Sequence, residues 1–151
     1  MLKSTSFWFA SFMLLAVLFK LWQAKPNEAQ FVADLGTAVQ HLQSSQDRLK
    51  LGHITHFAWD RMFVFPPNTP TSEISKLLGR PVPGAITGSG IEQRDDIHLL
   101  VFLDGQSIAQ VSAISRNTAD FFVGLVGISL DYNNAVFAKA QGERMLALAA
   151  M

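Results

Sequence analysis

The 151-residue sequence has no cysteine, few charged residues and no cluster of basic residues. Without cysteine there can be no disulfide, no thiolate metal site, no cysteine nucleophile and no lipid carried on an N-terminal cysteine. Three of the twelve basic residues lie within positions 1–25, which leaves nine basic residues against twelve acidic ones, a net charge of −3. Because neutralising phosphates requires grouped lysine and arginine, these numbers exclude a nucleic-acid partner.

The length allows one domain and a targeting segment. Phe7 to Phe19 is an uninterrupted apolar run, and the stretch 5–22 approaches the 20 or so residues of a membrane span if Lys20 extends its amine to the interface. We therefore expect residues 1–25 to anchor the chain in the bacterial cytoplasmic membrane. Residues 26–151 would then form a single domain outside the cytoplasm.

Two other interpretations of this segment stay open. Lys3 and the apolar run also fit a cleaved signal peptide, after which the domain would be secreted. A cut after Ala24 would place the bulky Trp22 where a small residue is preferred, so we favour the uncleaved anchor. A helix buried in a large core is the third interpretation.

The stretch from Phe57 to Gly79 gives the strongest structural signal. Alternating apolar residues predict a strand over 57–65 with one face in a core, and Pro66 and Pro67 end it. Thr69 is the predicted cap of a short helix that stops at Gly79.

The remaining pattern predicts an α+β fold, an antiparallel sheet of about four strands with one or two packed helices, preceded by the N-terminal hydrophobic helix. An apolar stripe predicts a helix from Asn27 that reaches Leu49, packed on the sheet or paired as a short coiled coil. Strands 97–103 and 107–115 form a hairpin at Asp104-Gly105. A bent strand within 121–130 and a last strand over 135–140 complete the sheet, and the tail 143–151 has helical propensity.

Residues 80–90 are rich in glycine and proline and show no periodicity. We expect a long loop there, and a loop of that length is a candidate contact surface. A phosphate cradle does not fit, because such cradles follow a strand and open a helix, whereas this segment follows a helix and leads into a strand.

The core stretch resembles a group of small bacterial exported proteins and lipoproteins of unknown activity. Their pattern is I-T-x-F-x-W-D-x-x-x-x-F-x-P-Y-T-P-x-x-x-I-x-x-x-L-G, followed by D-x-I-x-L-L-V-F, and it covers most of residues 54–105. The matching residues are Ile54, Thr55, Phe57, Trp59, Asp60, Phe65, Pro67, Thr69, Pro70, Ile74, Leu78, Gly79, Asp96, Ile97, Leu99, Leu100, Val101 and Phe102. Asn68 replaces the usual tyrosine, and the hydrophobic segment replaces the lipidated cysteine. The resemblance implies a location in the cell envelope and the predicted α+β fold, but it implies no catalytic activity.

More loosely, the helix ending in Leu77-Leu78-Gly79 looks like small envelope lipoproteins that assist outer-membrane assembly and like β-lactamase-inhibitor-like folds. Those are protein-binding modules. By this analogy the domain would contact another envelope protein.

No motif for metal, cofactor or nucleophilic catalysis is present in the sequence. His53 and His56 would point to opposite faces of a strand, and no metal-ligand spacing occurs, so we expect neither metal nor cofactor. The residues most suited to a contact surface or site lie along the core stretch and its partner strand: Trp59, Asp60, Arg61, Pro67, Asn68 and His98. Arg61 is expected to stack on an aromatic ring or to find an acid across the sheet.

The sequence therefore favours a membrane-anchored module that binds another protein or envelope component without catalysis. The alternative is a small periplasmic hydrolase or ligand-binding enzyme in which Asp60, Arg61 and His98 meet in one cleft. A third hypothesis gives the function to residues 1–50 alone, as a structural part of a membrane complex.

Overall fold

The computed structural model describes residues 28–122, 127–140 and 145–149, and these form an α+β fold. The helices are α1 (Glu28–His41), α2 (Thr71–Leu78) and α3 (Gly84–Thr87), with single 3-10 turns at Leu51–His53 and Ile91–Gln93. The strands are β1 (Arg48–Lys50), β2 (Arg61–Phe65), β3 (Ile97–Asp104), β4 (Ser107–Ser115), β5 (Asp120–Phe122), β6 (Ile128–Asp131), β7 (Val136–Lys139) and β8 (Met145–Leu148). The expected N-terminal anchor lies outside the described residues, within which no helix is long and apolar enough to span a membrane.

The strands form two four-stranded sheets rather than the single sheet expected from the sequence. The inner sheet has the order β4-β3-β2-β6 and is antiparallel throughout. The second sheet has the order β1-β7-β8-β5, with β5 and β8 parallel. Its strands are only three or four residues long, too short for an alternating pattern to stand out in the sequence.

The inner sheet is buried on both faces, which corrects the prediction that β2 has one face in a core. Met62 and Val64 join a cluster with α1 and the second sheet. Phe63 and Phe65 join a second cluster, covered by Ile74, Ile86 and Ile91 of the short helices. Strands buried on both faces are mainly apolar, and β3 is likewise buried from Ile97 to Leu103, with His98 as its one polar residue in that range.

Helix α1 begins near the predicted position but ends at His41, well before Leu49. Phe31, Leu35 and Val39 recur every four residues and are buried. The Asp47 carboxylate then accepts the amides of the two residues after Leu42, at 2.7 and 2.8 Å, and turns the chain into β1. In the sequence, Leu49 fits the apolar pattern of the helix, but it reaches the same core from strand β1.

Strand β2 starts at Arg61, four residues later than predicted, and the predicted cap at Thr69 is wrong. The Thr69 hydroxyl donates to the Pro66 carbonyl at 2.6 Å. Glu92 accepts the Thr71 amide instead and so supplies the missing acceptor at the start of α2. The predicted glycine stop is confirmed, since Gly79 has a φ of 66°.

The predicted hairpin is confirmed, with β3 and β4 joined at Gly105, whose φ is 57°. Two other predictions are wrong. Residues 80–90 are not an open loop, because they contain α3 and the fully buried Ile86. The part of the tail that is described, Met145–Leu148, is a strand and not a helix.

Candidate functional site

Trp59 and Asp60 hold together the end of the inner sheet nearest the hairpin. The Trp59 indole N–H donates to Thr55 Oγ1 at 2.9 Å, and its ring packs edge-on against Phe102 at a centroid distance of 5.2 Å. The Asp60 carboxylate accepts the Gly105 amide at 2.9 Å and so fixes the hairpin turn. With those groups engaged, Trp59 and Asp60 act as packing and turn residues.

Arg61 lies beside them and is exposed. Its guanidinium carbon is 5.8 Å from the Phe63 ring centroid, one of the stacking partners expected from the sequence.

Pro67, Asn68 and His98 lie at the opposite end of β2. Asn68 takes a left-handed φ of 59° and its amide donates to the Arg94 carbonyl at 3.0 Å. Pro67 and His98 line one small cavity. Arg61 pairs with Leu103, five residues along β3 from His98, a separation of about 16 Å. These three residues therefore do not form the single cleft that the alternative enzyme hypothesis required, because general acid–base chemistry needs hydrogen-bond reach.

The structure instead brings His98 together with Asp120 and Arg116, which the sequence analysis did not single out. We call these three residues the histidine cluster. His98 Nε2 lies 2.8 Å from Asp120 Oδ1, and Arg116 forms a two-pronged pair with the same carboxylate at 3.0 and 2.9 Å. The cluster ties β3 of the inner sheet to β5 of the second sheet. In the sequence, Arg116 and Asp120 lie in a polar connection between strands. Their partner His98 is 22 residues before Asp120, so no local pattern links the three residues.

The electrostatics of the histidine cluster favour a charged Asp120 and a neutral His98. The Arg116 hydrogen bond holds the pKa of Asp120 below its usual range. Burial lowers the pKa of His98, and this outweighs the opposite effect of Asp120. With Asp120 ionised, Nε2 carries the proton and donates to it, although the Phe121 amide also points at Nε2 at 3.2 Å.

No nitrogen of His98 is free to act on a substrate. Nε2 is engaged by Asp120, and Nδ1 is buried without a hydrogen-bond partner in the described part of the chain. The His98 side chain is only 4% exposed, although the cavity of about 320 Å³ beside it admits solvent to Asp120 and Arg116. A general base must reach the proton that it removes, so this arrangement indicates a structural tie.

A groove of about 1050 Å³ lies along β4, the edge strand of the inner sheet, and next to the start of α1. We call it the β4 groove. Its floor is β4, and its two walls are the start of α1 and the segment around α3. The lining residues are mainly apolar or small: Glu28, Ala29, Val32, Ala33, Pro83, Ala85, Ile108, Ala109, Gln110 and Val111. None of the residues expected from the sequence lies in it, and its α3 wall belongs to the segment 80–90 that we expected to form a contact surface.

One side chain reaches across the β4 groove. Glu28 Oε1 accepts the Ala113 amide of β4 at 3.2 Å. That amide therefore points away from β3 and toward the groove. Sequence reasoning missed the groove because its parts are separated by about eighty positions along the chain.

A third cavity, of about 580 Å³, lies between the middle of α1 and residues 117–118. Its one amine, Lys139 Nζ, donates to the Leu42 carbonyl at 3.1 Å, just past the end of α1. This lysine is therefore engaged in holding the helix end.

Within the ranges 28–122, 127–140 and 145–149, no three His, Asp or Glu side chains come close enough together to hold a metal ion. No protein-family model, curated protein or solved structure matches this chain.

Proposed function

We propose that this chain is a membrane-anchored module outside the cytoplasm that binds another envelope protein and performs no catalysis. The observation that carries the proposal is the β4 groove, an open and mainly apolar surface beside a sheet edge that pairs with no other strand among the described residues. Apolar grooves of this kind are typical of protein and peptide recognition.

The histidine cluster supports the absence of catalysis. It is the one place where a buried histidine meets charged partners among the described residues, and its imidazole is closed to substrate. Asp60 and Arg61, the other candidates for a hydrolase, lie at the far end of β2. Neither arrangement in the described part of the chain supports the enzyme alternative.

The position of α1 supports a site close to a membrane. The apolar run 7–19 precedes α1 by eight residues, and the first residues of α1 line the β4 groove. If that run is an anchor, the groove faces partners that also lie at or near the membrane.

Membrane fractionation and protease accessibility of the tagged full-length protein test this proposal. We expect the protein in the membrane fraction at its full length, with the carboxyl-terminal domain protected until the outer barrier is opened. A soluble product shortened by about two dozen residues would replace the anchor with a signal peptide. A domain that faces the cytoplasm would contradict the proposal.

A further inference from the structure

The outer edge of β4 offers backbone groups to the β4 groove. Ala113 pairs with Leu99, yet its amide donates to Glu28 rather than to β3. In an antiparallel ladder, residues two apart point their backbone groups the same way, so the N–H and C=O of Val111 also face outward. Val111 is only partly buried and lines the groove.

We propose that the β4 groove binds an extended segment of another, membrane-proximal protein. This segment pairs through its backbone with Val111 of β4 and sets a basic side chain beside Glu28. The inference rests on the proposed function and adds to it the kind of ligand and the recognising groups. Addition of a strand to an exposed sheet edge is a recurring mode of peptide recognition.

The shape of the groove favours a single extended segment over a second copy of this chain. The β4 edge is the floor of a groove, with α1 on one side and α3 on the other. In a second copy, β4 would lie between the same two walls, so two such edges could not approach to the 4.8 Å or so that strand pairing requires. The four lining residues of β4, 108–111, span about 13 Å and match a segment of four or five residues.

The charge of the groove selects a basic residue in that segment. Among the described residues that line the groove, Glu28 is the only charged one, and it is exposed at the rim. Its carboxylate also accepts the Ala113 amide. The part of the β4 edge that is open to a ligand therefore begins at Val111, two residues before Ala113. An incoming strand that starts there brings its first side chain close to Glu28, where lysine or arginine is favoured.

The distance to the proposed anchor makes the partner membrane-proximal. Five residues, 23–27, separate the stretch 5–22 from Glu28. Five residues span at most about 18 Å. Glu28 at the rim of the groove would therefore lie within that reach of the membrane surface, and a segment that places a side chain beside Glu28 must approach the membrane as closely.

Selection from a phage-displayed library of random 12-residue peptides tests the proposal with the full-length protein in detergent micelles. We expect enriched peptides that alternate apolar and polar residues, carry a lysine or arginine near one end and have no central proline. The selected peptides should bind A29R at least tenfold more weakly, because the new side chain fills the groove. They should bind Q30R within twofold of the unchanged protein.

This pair of variants is matched. Both residues are exposed on the first turn of α1, both receive the same helix-compatible side chain, and only Ala29 lines the groove. Thermal unfolding should be the same for both and so exclude a folding defect. E28Q should bind peptides with and without the basic residue equally well.

Several results would overturn the inference: no enrichment, selected peptides that bind A29R as tightly as Q30R, or peptides that still bind with proline at their centre. A consensus that matches residues 20–27 would assign the groove to this chain's own segment instead. Failure of the proposed function gives a different pattern, since a chain that faces the cytoplasm contradicts the function whatever its peptides do. Correct localisation together with full binding by A29R would overturn the groove as the binding site and leave the membrane location standing.

Discussion

The histidine cluster and the β4 groove are opposites in polarity and in access. The cluster gathers His98, Asp120 and Arg116 but leaves the imidazole 4% exposed, with its Nδ1 buried. The groove is open to solvent, and Glu28 at its rim is the one ionisable side chain among the described residues that line it. Among the described residues, the histidine cluster has the residue types of an active site but no free imidazole nitrogen, whereas the β4 groove is open and mainly apolar.

A second comparison isolates the effect of burial, because the domain contains two histidine–aspartate pairs. His98 lies 2.8 Å from Asp120 and His56 lies 3.0 Å from Asp34. The side chains of the second pair are 59% and 38% exposed. Water screens such a pair, so only the buried one is expected to contribute much to stability.

The largest expected effect comes from breaking the buried pair. D120A leaves His98 Nε2 and the Arg116 guanidinium without their shared acceptor, and we expect it to lower the free energy of unfolding by about 2 to 3 kcal/mol. D34A removes the same type of partner from the exposed pair and should cost less than about 0.5 kcal/mol. Urea unfolding of the two variants and the unchanged protein measures both values.

Equal losses in D120A and D34A would show that the histidine cluster is not a tie between the sheets. D120N serves as a control, because its amide oxygen still accepts from His98 while its NH₂ group faces Arg116. Its loss should fall between those of the other two variants.

A smaller effect is expected from pH. The folded pKa of His98 is lowered from its ordinary value of 6.5, so the unfolded chain binds a proton at higher pH than the folded one. Stability is therefore constant above that range, falls as the pH drops below about 6.5, and levels off below the folded pKa. H98Q, whose amide can still donate to Asp120, should lose this part of the pH dependence.

Urea unfolding at pH 7.5, 6.5 and 5.5 measures this difference between the unchanged protein and H98Q. The contribution of Asp120 appears at lower pH, because its folded pKa is lowered from 3.8 and its stabilisation is lost only as the pH falls through that lower value. An unchanged protein and an H98Q variant with the same profile between pH 7.5 and 5.5 would contradict a buried neutral His98.

The sequence predicted those parts of the fold that rest on local chemistry. Gly79 and Gly105 end a helix and turn a hairpin through positive φ, which the neighbouring residues already indicate. The extent of α1 could not be predicted, because Leu49 fits the helical stripe and yet reaches the same core from β1. The cap of α2 could not be predicted either, since Glu92 supplies it from 21 residues away.

The candidate sites were harder to predict because each is formed by tertiary contacts. His98 was expected to be of interest, but its partner Asp120 belongs to another sheet, and Trp59, Asp60 and Arg61 lie at the far end of β2. The β4 groove corresponds to no sequence motif, since its described residues are mainly small and apolar side chains from three separate segments. Such a surface becomes visible only when the walls are placed in space.

Photo-crosslinking in living cells tests the central claim most directly. A photoreactive amino acid is placed at position 29, in the groove, or at position 30, outside it, in the full-length protein. At position 29 we expect crosslinks to one extended segment of another envelope protein that contains a lysine or arginine. Their yield should be at least tenfold higher than at position 30. Equal yields at the two positions, or crosslinks only between copies of this chain, would contradict the claim that the groove is the binding site.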